Sequence, residues 1–401
     1  MITVIRCWFL MIAATLQGNL LAQWERHTID DSSRGADGVR LADINRDGWI
    51  DCVTGWEQGN KVRICVHPGT QHVRQPWPAV TVGTPPDVED AVFVDLDHDG
   101  NLDVVSCSEG KTKSLSFHWA PRDGKQLLEA SSWKTTALPA AQGRMMWMYA
   151  LPTQLDHQYG IDIVAGGKGP NAAIGWFEAP RNARDLPAWT WHPLRAVGWL
   201  MTLETRDFDA DGDLDILFSD RKLDRSGIYW LENPGPSNLM EAWPEHPVGA
   251  LQAEAMFLRL CDLDQDGLED IVAAIRPKSL LWIQRRDRTG KTWQSHTIPL
   301  PEEAGTAKAV GVGDINGDQV NDIVFSCENA RAPQQGVMWL SANGPLTSGN
   351  WTSHSISGRT GVKFDLIELI DLDHDGDLDV LTTEEITNLG VVWYENPQRT
   401  P

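Results

Sequence analysis

The chain has 401 residues, a formal net charge of −22, 41% hydrophobic residues and 19 Trp. Its length fits one large repeat domain or two ordinary ones, and its acidity argues against nucleic acid as a partner. No segment reaches the run of about 18 apolar residues that a membrane span requires.

The first 22 residues read as an export signal: Arg6 precedes the apolar run CWFLMIAA, and LLAQ offers a cut after Ala22. A secreted or periplasmic protein of residues 23–401 is expected. Cleavage leaves five Cys. Cys52 and Cys65 flank a short hairpin, and buried free thiols are the expectation for them.

From there the chain is periodic. The first acidic loop is DINRDGWID, with Asp43, Asn45, Asp47 and Asp51 at positions 1, 3, 5 and 9. DLDHDGNLD repeats the pattern with Asp95, Asp97, Asp99 and Asp103. DFDADGDLD carries Asp207, Asp209, Asp211 and Asp215, and DLDQDGLED carries Asp262, Asp264, Asp266 and Asp270. DINGDQVND supplies Asp314, Asn316, Asp318 and Asp322, and DLDHDGDLD ends the series with Asp371, Asp373, Asp375 and Asp379. A seventh copy, QLDHQYGID, has Gln154 and Gln158 at two ligand positions and is expected to bind no metal. Loop starts at 43, 95, 154, 207, 262, 314 and 371 give a period of about 55.

Oxygen donors at this spacing suit calcium, a hard ion that takes six to eight of them, and glycine at position 6 allows the sharp turn. About five or six structural Ca²⁺ sites are expected. The Asp314 loop has Gln319 at position 6, so its turn should be strained. An EF-hand is excluded, because Thr382 replaces the bidentate Glu at position 12 and the flanks FDLIELI and LDVLTT are β-rich.

A β-rich repeat of this length predicts propeller blades of four strands. Strands a and b flank the acidic loop, and strand c carries Trp176, Trp230, Trp339 or Trp393. Strand d is a Trp-x-x-His motif beginning at Trp24, Trp189, Trp243, Trp293 and Trp351. The chain starts on a d strand and ends after a c strand, so the N-terminal strand should complete the last blade and leave no open edge. The expected fold is therefore all-β, a seven-bladed propeller, with the strand-d histidines serving structure.

These Asp loops resemble the secreted propellers with FG-GAP or VCBS-type repeats, related in blade pattern to the integrin α-subunit head. The resemblance implies calcium in the a–b loops. Literal FG and GAP motifs are absent, so integrin-like recognition is not carried over. Strand c, as in WLENPG, looks more loosely like that of sugar-eliminating propellers such as aldos-2-ulose dehydratase.

Counting from the last loop Asp, strand b has apolar residues two positions on and small ones four positions on. Six positions on come Glu57, Glu109, Lys168, Arg221, Arg276, Glu328 and Glu385, all charged. Strand period puts the three sets on one face, the last emerging opposite the acidic loops. Six residues before each loop, strand a supplies a second ring of Asp37, Glu89, Met148, Met201, Met256, Lys308 and Asp365. One arc is then acidic, and the other sets cations among Trp147, Trp199 and Tyr149. Such a mouth suits a saccharide, because Trp stacks on sugar rings, carboxylates accept hydroxyls and cations pair with uronate or sulfate. A lyase or dehydratase would use Lys168, Arg221 and Arg276 to stabilise an enolate and Tyr149 or Lys168 as base. A protein-interaction module is the third possibility, and a monomer is expected.

Overall fold

The structure is a computed structural model that describes residues 24–399, so the expected export signal lies outside the described residues. Seven four-stranded antiparallel sheets form the ring, each running a-b-c-d outward. In blade 1 these strands are Ala36–Ala42, Asp51–Trp56, Lys61–Cys65 and Ala79–Gly83. Blade 7 consists of Phe364–Ile370, Asp379–Glu384 and Gly390–Glu395, and its fourth strand is the N-terminal segment Glu25–Asp30. The register sets His27 opposite Trp393, and His27 Nε2 lies 2.8 Å from Glu395 Oε2. No helix among the described residues is long and apolar enough to cross a membrane.

Strand b is the spine of each blade. The residues two after its first Asp (Val53, Val105, Val164, Leu217, Val272, Val324 and Leu381) are all 0% exposed. Small side chains two further on let neighbouring blades approach. A Cβ on Gly55 or Gly166 would collide with Val88 or Leu200 of the next blade.

Strands c and d are joined by ring contacts, three of them stacked and two tilted. His192, His246, His296, His354 and His27 stand directly opposite Trp176, Trp230, Trp282, Trp339 and Trp393, with ring centroids 4.7, 4.2, 4.5, 4.0 and 4.6 Å apart. This cross-strand pairing gives the Trp-x-x-His motif a structural role. Cys52 and Cys65 are likewise direct cross-strand neighbours, both buried free thiols.

Candidate functional site

The two faces of the ring carry different chemistry. On one, the acidic loops fold around their own amides. In blade 1, Asp43 accepts the N–H of Asp47 (3.1 Å) and of Gly48 (2.9 Å), and Asp47 accepts that of Trp49 (2.8 Å). Gly48, Gly100, Gly212, Gly267 and Gly376 all have φ between 87 and 99°, a conformation open to glycine. Gln319 takes the same turn at φ 70°.

The ninth-position aspartates, counted among the ligands from sequence, have a further duty. Asp51 accepts the N–H of Ile44 (2.9 Å) and of His67 (2.8 Å), stapling its own loop to the end of strand c. Asp103, Asp215 and Asp379 repeat both bonds, and so does Asp162 in the loop with Gln154. Asp270 takes the Trp282 indole N–H in place of the loop amide. This staple is thus present with or without the ligand set.

The loops fit a hard cation. One oxygen from each of Asp95, Asp97 and Asp99 lies within 4.8 Å of the others, and the same holds for Asp207, Asp209 and Asp215 and for Asp262, Asp264 and Asp270. Asp95 Oδ1, Asp209 Oδ1 and Asp375 Oδ2 are shielded from solvent without a hydrogen-bond partner. Orphaned carboxylate oxygens of this kind are costly unless a cation faces them.

On the opposite face the channel opens into a cavity of about 320 Å³ lined from all seven blades. Strand b delivers Glu57, Glu109, Lys168, Arg221, Glu328 and Glu385 to it, and strand a delivers Asp37, Glu89, Met148, Met201, Lys308 and Asp365. Every a–b pair shifts register near this end, between Val88 and Asp90, between Ala307 and Ala309, and equivalently in the other blades. The bulge lifts residues such as Glu89, Met148 and Lys308 out of the ladder and aims them into the channel.

Three expected residues do not line the cavity, the first being Met256 of blade 5, which is 0% exposed. Trp147 is 0% exposed, packed against Phe177 and Trp191, with its indole N–H on Ala141 O. Its neighbour Met148 faces the cavity, so Trp147 points the other way. Arg276 lies outside the lining, paired with Glu328 and, at 3.4 Å, with Glu254. Tyr149 does line it, but burial pushes its phenol up and Arg40 stacks on its ring at 3.9 Å, which opposes a role as base. Trp199 is present too, although Lys168 and Arg221 both sit 4.5 Å from its ring centre and occupy the surface meant for a sugar.

The acidic and basic arcs interlock instead of facing each other. Lys168 reaches Glu89 at 2.8 Å and also pairs with Glu109. Lys308 holds Asp365 at 3.0 Å, and Arg221 holds Glu254 at 3.1 Å. Lys363, absent from both sequence rings, pairs with Glu385. It precedes strand a of blade 7, in a turn with no fixed offset from the loop, and so carries no repeat signal.

What remains unpaired is acidic. Among the described residues Asp37 and Glu57 make no ion pair, and the hydrogen-bond partners of Asp37 are other carboxyl groups, Asp365 and Glu89. Burial pushes Asp37 and Asp365 up to about 7, and it raises Glu57 and Glu89 as well. Oxygens of Asp37, Glu57 and Glu385 lie within 4.8 Å of one another, a spacing one cation can bridge.

The architecture is that of a β-propeller with a charged axial cavity. The FG-GAP-like repeat family matches residues 43–106, 207–273 and 262–325, and with seven blades in the ring the chain belongs to the FG-GAP-like β-propellers. No curated protein matches its sequence. In fold it is similar to the crystal structure of BBS1N in complex with ARL6DN, with TM-score 0.53 and 9% identity over 94% of this chain and 98% of that one. It is also similar to Sqt1 of Saccharomyces cerevisiae, with TM-score 0.53 and 10% identity over 92% and 86%. At these identities the likeness concerns the fold alone.

Proposed function

We propose that the protein is an exported, calcium-stabilised propeller that binds a saccharide in the axial cavity opposite the acidic loops. The observation that carries this reading is the cavity wall itself, which Asp37 and Glu57 line without an ion pair of their own among the described residues, Lys363 acting on both only at longer range. Carboxylates so placed accept hydrogen bonds from vicinal hydroxyls, and bonds to charged groups are the strong ones. The cations once assigned to uronate or sulfate already hold Glu89, Glu109, Glu254, Glu328 or Asp365. That pairing favours a neutral sugar over an acidic one. Calcium in the loops follows from the donor spacing and the orphaned oxygens, and export from the N-terminal sequence.

The test is a glycan array of neutral and acidic oligosaccharides on the calcium-loaded protein, with mass spectrometry of the eluted glycans. Asp37→Asn and Glu57→Gln should each weaken binding about tenfold, the loss of roughly one charged hydrogen bond. Silence on every glycan would sink the saccharide reading and leave a protein partner. A lyase or dehydratase remains the second reading. The hydrogen-bonded carboxyls Asp37 and Asp365, both near 7, form a pair able to give and take a proton. Altered glycan masses lost in Asp365→Asn would decide for it.

A further inference from the structure

The loop of blade 3 is the one whose first ligand position is not an acid, and its geometry is unlike a merely vacant site. Gln154 sits where the other loops have Asp. Its Nε2 donates to the backbone carbonyl of Gln158 at 2.7 Å and to that of Gly160. Its Oε1 accepts the N–H of Asp156 at 3.1 Å and of His157 at 2.9 Å. All four bonds require one orientation of the amide, since a flipped group would set oxygen against two carbonyls and NH₂ against two N–H groups.

Gly160 occupies position 7 of the loop. In the EF-hand loop, which shares with this pattern the donors at positions 1, 3 and 5 and the glycine at position 6, the position-7 ligand is a backbone carbonyl. We propose that the Gln154 side-chain amide takes the place of the cation in blade 3, holding the carbonyls of positions 5 and 7 by hydrogen bonds. An amide NH₂ has two donors, and both are used, so the loop reaches a closed form with no ion. Gln158 at position 5 is neutral and adds no charge that an ion would offset. Asp162 still makes both staple bonds, to Leu155 (3.0 Å) and Ala179 (2.9 Å), so the strands around the loop are held as in the other blades. Blade 3 is then a built-in calcium-independent segment in a ring whose other blades depend on calcium. This inference rests on the calcium reading of those six loops.

The experiment compares wild type, Q154E and the double variant Q154D/Q158D. Bound calcium is counted by equilibrium dialysis with elemental analysis, and thermal unfolding is followed with calcium and with a chelator. Q154E is nearly isosteric but replaces the two-donor NH₂ by an oxygen. It should lose more stability than wild type in chelator and recover it in calcium. The double variant should bind one ion more than wild type. Wild type binding several ions while the double variant binds the same number, or a Q154E no more chelator-sensitive than wild type, would overturn the inference. Zero ions on the wild type would instead overturn the calcium reading beneath it.

Discussion

Gln319 holds a left-handed turn at φ 70° where five other loops place glycine. A side chain pays about 1 kcal/mol or more for that conformation, so Gln319→Gly should stabilise the protein by roughly 1 kcal/mol in urea unfolding. His118 shows a different residue-scale effect. Its ring is fully buried between Ser106 and Thr135, at 2.8 Å from each hydroxyl, and burial pushes it down to about 3. The unfolded chain, with histidine near 6.5, binds more protons than the folded one between about pH 3 and 6.5. The stability from neutral His118 is therefore complete above about 6.5 and is lost on acidification, by up to about 1.4 kcal/mol per pH unit. His118→Gln should flatten the slope of unfolding free energy against pH across that window, and an unchanged slope would falsify the assignment.

At the scale of strands and loops, the ninth-position staple separates backbone support from the proposed ion binding. Asp162→Ala removes two amide acceptors in a loop with no acid at position 1, leaving two buried N–H groups unsatisfied. A loss of about 2–4 kcal/mol is expected, equal with and without calcium in chemical unfolding. The same scale decides what was legible in the sequence. Strand b is rigid and has period two, so counting from the loop Asp placed Glu57, Lys168 and Glu385 at the cavity correctly. Strand a followed the same count in six blades, although it is bulged, because the irregularity recurs near the same end, whereas in blade 5 Met256 stays in the core. Parity within the bulge was not legible, which is why Trp147 was expected at the mouth and lies in the core. Nor were the partners. Lys168 meets Glu89 from another blade, 79 residues away, and Lys363 and Glu254 come from turns outside the repeat count. Spacing along one strand fixes depth in the ring, while the distance across the channel is encoded nowhere in the chain.

For the molecule as a whole, closure depends on one short strand. Glu25–Asp30 covers the outer edge of blade 7, buries Ile29 completely and sends Asp30 to Arg63 of blade 1 at 2.6 Å. Removing it would expose the row of unpaired amides and carbonyls on Gly390–Glu395, an edge prone to pairing with other chains. A variant lacking residues 24–30 should unfold at lower temperature by calorimetry and associate on size-exclusion chromatography, whereas Asp30→Asn should remain a closed ring with a smaller loss. His27 and Glu395, which meet at this seam, are 368 positions apart. A nascent chain released before the last blade offers Glu25–Asp30 nothing to pair with, and its first blade keeps an uncovered flank. Topology thereby acts as a check on completeness: the seam can close only in polypeptides that carry the last blade.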